Sequence, residues 1–382
     1  MRSLSSLCTA CVLIAMACVP ANCEAEELRV YIGSYTRGTD SDYGIHHYRF
    51  SLETGALTEE GEPTTVKNAS FLAIHPSKKF LYSVSELGPG QGGVSGFQIH
   101  PGNGNLTKIN SQPAGGAGPC HVMVDQTGTT LMVANYGGGS TGSYQLDEKG
   151  AISPQVSFFQ HHGSSINQRR QKAPHAHSIN LSRDNRFAYV ADLGIDKVMI
   201  YQLETATGKL LANKPDSVAM APGSGPRHFA FHPSGKYAFV INELLSTITV
   251  CRYNPANGGL TALQTISTLP KGFSENNTTA EVVVHPSGKF VYGSNRGHDS
   301  IAVFSFEEST GMLSFVEHEP SGGKTPRNFN VDPTGKFMIT ANQSTDNLHV
   351  YHVDQKTGAL SDAGVDVKVQ KPVCVKFMTL AE

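Results

Sequence analysis

The residues able to do chemistry in this chain recur at matching points of a repeating pattern. Gly225-Pro226-Arg227-His228 is answered by Thr325-Pro326-Arg327-Asn328, by Gly118-Pro119-Cys120-His121 and by Pro174-His175-Ala176-His177, each leading into an apolar run. Further on in each copy comes a second polar cluster: Ser85-Glu86, Asn135-Tyr136, Asn242-Glu243, Asn295-Arg296 and Ala341-Asn342. Guanidinium groups suit bidentate binding of phosphate or carboxylate, and imidazoles and carboxylates suit proton transfer. Gathered at one place, these side chains could hold and react with an anionic small molecule.

What would gather them is the repeat itself. In Thr279 to Leu313, Val282 to Val284 is a short β-branched strand, His285-Pro286-Ser287-Gly288 is turn chemistry, and Phe290 to Gly293 is a second strand. Ile301 to Phe306 alternates as a third strand, and Thr310-Gly311 turns toward a fourth. The first turn recurs six times, from His75-Pro76-Ser77 to Asp332-Pro333-Thr334-Gly335. The later glycine turn recurs seven times, at Gly55, Gly104, Gly150, Gly208, Gly258, Gly311 and Gly358. Four short strands per repeat are the signature of a propeller blade, since one such sheet cannot bury both faces alone.

The unequal counts point to how the ring closes. The chain begins with strand material that lacks a first strand, Arg29 to Ser34 and Gly44 to Phe50, and ends with a lone first strand, Val373 to Met378. The expected fold is therefore all-β: a seven-bladed β-propeller of four antiparallel strands per blade, with the N- and C-terminal strands sharing one blade so that no sheet edge is left open. The propeller is expected to occupy residues 26–382 as one domain.

Topology then places the polar clusters. If the H-P-S-G turns lie on one face of the disc, the starts of first strands and the ends of second strands lie on the other. A channel mouth ringed by His121, His177, Arg227, His228, Glu243, Glu281, Arg327 and Asn342 follows, with Arg296 beside it. Residues lining a propeller channel often only bind water and one another, but arginines and carboxylates sharing a cavity are costly to desolvate unless paired or used. His161-His162 and Gln168 to Lys172 fall in an inserted loop before the third blade, on the channel face, expected to be an ordinary mobile loop with a lid as the alternative. Of His175 and His177, one is expected to face the channel, and without two more clear ligands no metal is expected there. The glycine-rich Gly90 to Gly93 and Gly137 to Gly139 lack the Lys-Ser/Thr of a phosphate loop.

Bulk properties narrow the field. A net charge of −2 with no basic stripe excludes a nucleic-acid partner, and Arg169-Arg170 to Lys172, the one basic run, is expected to be solvated surface. Met1-Arg2, the apolar Leu7 to Val19 and the small residues Ala21 and Ala25 read as a secretory signal over residues 1–25, too short in its apolar core to span a bilayer. An exported, periplasmic or extracellular protein is expected. Lipid attachment at Cys18 or Cys23 ranks second for want of a lipobox. Three cysteines remain in the body, Cys120, Cys251 and Cys374, and are expected to be buried thiols.

Gly225-Pro226-Arg227-His228-Phe229, His232-Pro233, Asn242-Glu243-Leu244, Ala280-Glu281 and Pro326-Arg327-Asn328-Phe329-Asn330-Val331 together resemble the seven-bladed lactonase family typified by bacterial propeller-type 6-phosphogluconolactonase. The fungal carboxy-cis,cis-muconate cyclases belong to the same family. The resemblance covers essentially the whole mature chain and implies hydrolysis of a sugar lactone, 6-phosphogluconolactone or a related aldonolactone, without metal or cofactor. On that reading Glu243 is the base, shared with His177. Arg227 and His228 serve the oxyanion and the leaving group. Arg327 with Arg296 holds the substrate's anionic group, Glu281 orients an arginine, and His121 and Asn342 complete the lining. Export is the departure, because the phosphorylated lactone is an intracellular metabolite. The alternatives are a lactonising enzyme of the cyclase type and a non-catalytic exported propeller that binds a protein or glycan partner through an apolar or aromatic patch.

Overall fold

The computed structural model describes residues 27–39 and 41–380, and the expected signal over residues 1–25 lies outside them. The described residues form twenty-nine strands in seven antiparallel sheets, with no helix. From Leu72–Ile74 onward each blade starts at the axis: Leu72–Ile74 for blade I, Pro119–Val124 for II, Ala176–Leu181 for III, Pro226–Phe231 for IV, Thr278–Val284 for V and Pro326–Val331 for VI. In blade VII the C-terminal strand Pro372–Thr379 pairs with Glu27–Ser34, which pairs with Tyr43–Ser51. The outer strand of that blade is split into Leu57–Glu59 and Thr64–Thr65. Each inner strand touches the inner strand of the next blade, round to Pro372–Thr379 against Leu72–Ile74. The ring is closed as the strand count requires.

The second strands are the driest. Tyr237–Asn242, Phe187–Asp192 and Phe337–Asn342 are buried at every residue. Their side chains meet the inner strands of adjoining blades, as where Tyr189 stacks on Phe229 with ring centroids 5.1 Å apart. Each such large apolar side chain contributes about 1.5–3 kcal/mol by leaving water.

The recurring turn residues clasp neighbouring blades. The seven repeat glycines all have φ between 66° and 78°, and a Cβ on Gly150 or Gly258 would stand 2.6 Å from the ring of Phe80 or Phe187. The carbonyls of those two glycines accept the hydroxyls of Tyr82 and Tyr189. In the H-P-S-G turns, Nδ1 of His232 and of His285 accepts from Ser234 N and Ser287 N. Each Nε2–H then donates to the glycine carbonyl of the next blade's turn, Gly288 and Gly335, at 2.9 Å. These histidines are fasteners, and they lie on the face away from the clusters of interest.

Candidate active site

A β-bulge sits where each polar cluster begins. In blade IV, Pro226 pairs with Asn242 and His228 with Ile241, so that Arg227 has no partner across the sheet. The same skip falls on Arg327, His177, Cys120 and Val373 in blades VI, III, II and VII. A bulge bends its strand and re-aims its side chains. In blades II, IV and VI it lets two consecutive residues both face the axis, Cys120, Arg227 and Arg327 toward the mouth at the strand starts and His121, His228 and Asn328 deeper.

The mouth at the strand starts holds a cavity of about 410 Å³ lined by Tyr35, Arg37, Glu86, Cys120, Tyr136, Arg170, His177, Glu243, Thr278, Arg296, Arg327, Gln343 and Lys371. Five cationic side chains face two carboxylates, a formal excess of three positive charges. On one side Glu243 accepts from Arg227 Nε at 2.9 Å and Arg170 Nη2 at 2.6 Å, and pairs with Arg296 Nη2 at 3.0 Å. On the other, Arg327 Nη2 donates to the Tyr35 hydroxyl, which donates to Glu86, both at 2.9 Å. Arg296 Nε is buried without a partner among the described residues.

Of the residues expected in one ring, His177, Glu243, Arg296 and Arg327 line this cavity. Arg227 lies beneath it, in a partition shared with Phe71, His228 and Val373 around a void of about 10 Å³. His121, His228 and Glu281 do not join them: they line a separate cavity that opens on the opposite face. His121 and His228 follow the bulged position in their strands, Glu281 is one of two residues skipped between Thr279 and Val282, and Phe71 plugs the channel between, stacked on His121 at 3.9 Å. Asn342 is in neither lining. Fully buried, its Nδ2 donates to the Ser321 carbonyl at 2.9 Å, a blade-stitching role matched by Asn135 on Ala114 and Asn295 on Thr268. The following residue, Gln343, faces the cavity instead.

The surroundings set the protonation states. Burial alone would raise the Glu243 carboxyl, but Arg296, Arg227 and Arg170 outweigh it and hold it down at about 2. Burial, aided by Arg296 and Arg327, pushes Arg227 down to about 9. Burial and the nearby Arg227 keep the His177 imidazole well below its ordinary range, so it is neutral at pH 7. Burial raises the Cys120 thiol, 3.7 Å from His177 Nδ1, so that pair is no thiolate–imidazolium couple. Glu281, taken out of water, is raised to about 7 despite the nearby Lys376 and Arg227. Among the described residues no three His, Cys, Asp or Glu side chains group as metal ligands, and no helix is long and apolar enough to cross a membrane.

The family described as Lactonase, 7-bladed beta-propeller, matches residues 29–377. The chain belongs to the seven-bladed β-propeller lactonases. This lactonase is 37% identical to a 6-phosphogluconolactonase of Bacillus subtilis over 348 residues, 91% of this chain and 97% of the relative. It is also 37% identical to a 6-phosphogluconolactonase of Formosa agariphila over 306 residues, 79% and 86% of the two chains. The solved periplasmic gluconolactonase of Pseudomonas aeruginosa is similar at a TM-score of 0.87 and 30% identity, covering 93% of this chain and all of that one.

Several residues of the lactonase's cavity escape a reading of the repeat. Arg170, expected to be solvated, is the third guanidinium on Glu243 and also donates to Tyr136 at 3.1 Å. Its loop is anchored, not loose: His161 Nδ1 meets Asp192 at 2.6 Å, and Gln171 Nε2 donates to Asp196 at 2.7 Å. Being an insertion, it has no counterpart in other blades from which its direction could be read. Tyr35, Arg37 and Lys371 come from the shared blade VII, where the repeat is broken between the two chain ends. Glu86 and Tyr136 do sit at second-strand ends, the signal that could have found them.

Proposed function

We propose that the cavity around Glu243 and Arg327 hydrolyses an anionic sugar lactone, 6-phosphogluconolactone or a closely related aldonolactone, with protein groups alone doing the acid–base work. The observation that carries this reading is the positive excess in a 410 Å³ cavity. Buried guanidiniums are costly to hold together, and an anionic substrate satisfies them. The names of the Bacillus and Formosa relatives support the phosphorylated substrate.

Lactone opening needs water deprotonated, the carbonyl oxygen stabilised and the leaving alkoxide protonated. Both Glu243 oxygens are taken by guanidinium N–H donors, so Glu243 serves here as the anchor that aims Arg170, Arg227 and Arg296. His177, a neutral imidazole in the lining, takes the proton as water attacks the carbonyl carbon. Arg296 and Arg170, both in the cavity lining, face the oxyanion. When the ring C–O bond breaks, the imidazolium returns its proton to the alkoxide. Arg327, with Arg37 and Lys371 on its side of the cavity, holds the phosphate or carboxylate. Export through residues 1–25 is part of this proposal, supported by the periplasmic Pseudomonas relative, and favours a lactone met outside the cytoplasm.

The binding-module reading draws little support. The large apolar side chains most exposed among the described residues, including Phe158, Leu211, Leu245 and Phe315, are distributed over different blades. Proton release from 6-phosphogluconolactone and unphosphorylated gluconolactone, measured side by side with and without chelator, tests the proposal. Faster turnover of the phosphorylated lactone, unchanged by chelator, is expected. No turnover of either above spontaneous hydrolysis would overturn it.

A further inference from the structure

The channel's second mouth, on the face of the H-P-S-G turns, opens into a cavity of about 840 Å³ that takes no part in the proposed reaction. Phe71 and the Arg227 partition close it off from the first. Its chemistry is different. Met123, Phe231 and Val284 give it apolar walls, whereas guanidiniums and carboxylates dominate the other.

At its floor, hydrogen-bond donors outnumber acceptors. Glu281 is fully engaged: Oε1 meets His228 Nδ1 at 2.8 Å and accepts Val282 N at 3.0 Å, while Oε2 accepts the Asn328 amide. Lys376 Nζ sits 4.3 Å from the Phe71 ring centroid, with no carboxylate bonded to it among the described residues. His121 Nδ1 accepts from Ile179 N at 3.4 Å, which puts the imidazole proton on Nε2, and no described residue accepts that proton. Arg183 adds a cation to the lining. An ammonium and an N–H donor at the base of an apolar-walled cavity fit one kind of ligand, since such a pocket takes its specificity from a few convergent polar groups.

We infer that this lower cavity is a second small-molecule site, for a monoanion with an apolar body, such as an aromatic carboxylate or sulfonate. The anionic group meets Lys376 and the Nε2–H of His121, and the body fills the space between Met123, Phe231 and Val284.

The probe is 1-anilinonaphthalene-8-sulfonate, whose fluorescence is followed without interference because the chain has no tryptophan. Saturable binding of one probe per chain is expected, displaced by benzoate at far lower concentration than by the neutral benzamide, and unaffected by saturating 6-phosphogluconate. Lys376→Met should weaken it about tenfold or more, as loss of one charge-assisted contact does. Asn180→Phe, which fills the cavity from its wall, should abolish it and keeps the test open if Lys376→Met does not fold. Displacement by 6-phosphogluconate would place the probe in the other cavity and overturn the inference. So would non-saturable binding, equal competition by benzamide, or binding indifferent to both substitutions.

Discussion

Gly225 donates its backbone N–H to Oδ1 of Asp196 at 2.6 Å, two residues ahead of Arg227. The same buried carboxylate accepts from Ser165 Oγ at 2.5 Å, Gln171 Nε2 at 2.7 Å and Gly223 N at 2.6 Å. One side chain thus ties the loop that carries Arg170 to the strand start that carries Arg227, and both arginines meet on Glu243. The device recurs around the ring. Asp299 accepts Thr325 N at 2.8 Å ahead of Arg327, and Asp346 accepts Lys371 N at 2.8 Å. All three aspartates have positive φ in turns between second and third strands.

Asp196 touches no part of the cavity, so its removal tests positioning. Asp196→Ala should lower kcat/KM on the anionic lactone by about tenfold or more, since small misplacements of catalytic groups are costly. Asp196→Asn, which keeps an acceptor for Gly225, should lose less. Steady-state kinetics on variants whose circular dichroism shows them folded decides it. Wild-type kcat/KM in folded Asp196→Ala would remove the positioning role.

Glu243 is the counter-charge for three guanidiniums. Glu243→Gln leaves them uncompensated in a buried site and should destabilise the fold by about 3–5 kcal/mol at neutral pH. The folded carboxyl lies at about 2 against an ordinary 4.5. Its stabilising contribution is therefore fully present above the ordinary value and lost as pH falls through 4.5 toward 2. Denaturant titrations from pH 7 to 3 should show wild type and variant converging at the acid end. A gap that does not narrow there contradicts the ion-pair account.

Glu281 has the opposite sign. With its folded carboxyl raised to about 7 from 4.5, the folded state holds a proton that the unfolded chain has released. Stability from this group is present below 4.5 and lost as pH rises through 7, by on the order of 3 kcal/mol. Glu281→Gln should flatten the dependence of melting temperature on pH between 5 and 7.5, gaining on wild type as pH rises. Parallel curves would show that Glu281 stays ionised across this range.

The blades, their number and the closure through Pro372–Thr379 were legible because turns and β-branched runs repeat, and repetition averages out local ambiguity. The face bearing His177, Glu243, Arg296 and Arg327 was legible too, since strand direction alone puts strand starts and ends there. What the repeat cannot show is depth along the axis. Arg227 and His228 are neighbours in the chain yet lie toward different cavities, because a bulge brings both to the axis and a single plug, Phe71, comes between the cavities. Nor does it separate Asn342, buried in a blade, from Gln343 in the cavity lining. That choice depends on one step of the chain as a strand ends. Arg170 and Asp196 were hidden for another reason: their partnership joins an insertion to a turn.

Selection of an anionic lactone by the Arg327 side of the cavity is read from the kcat/KM ratio for phosphorylated over unphosphorylated gluconolactone in Arg327→Ala. The variant should lose about 100-fold on the phosphorylated lactone, as for loss of a bidentate charged contact, and little on the other, so that the ratio collapses toward one. Equal losses on both substrates, or an unchanged ratio in a folded variant, would contradict it.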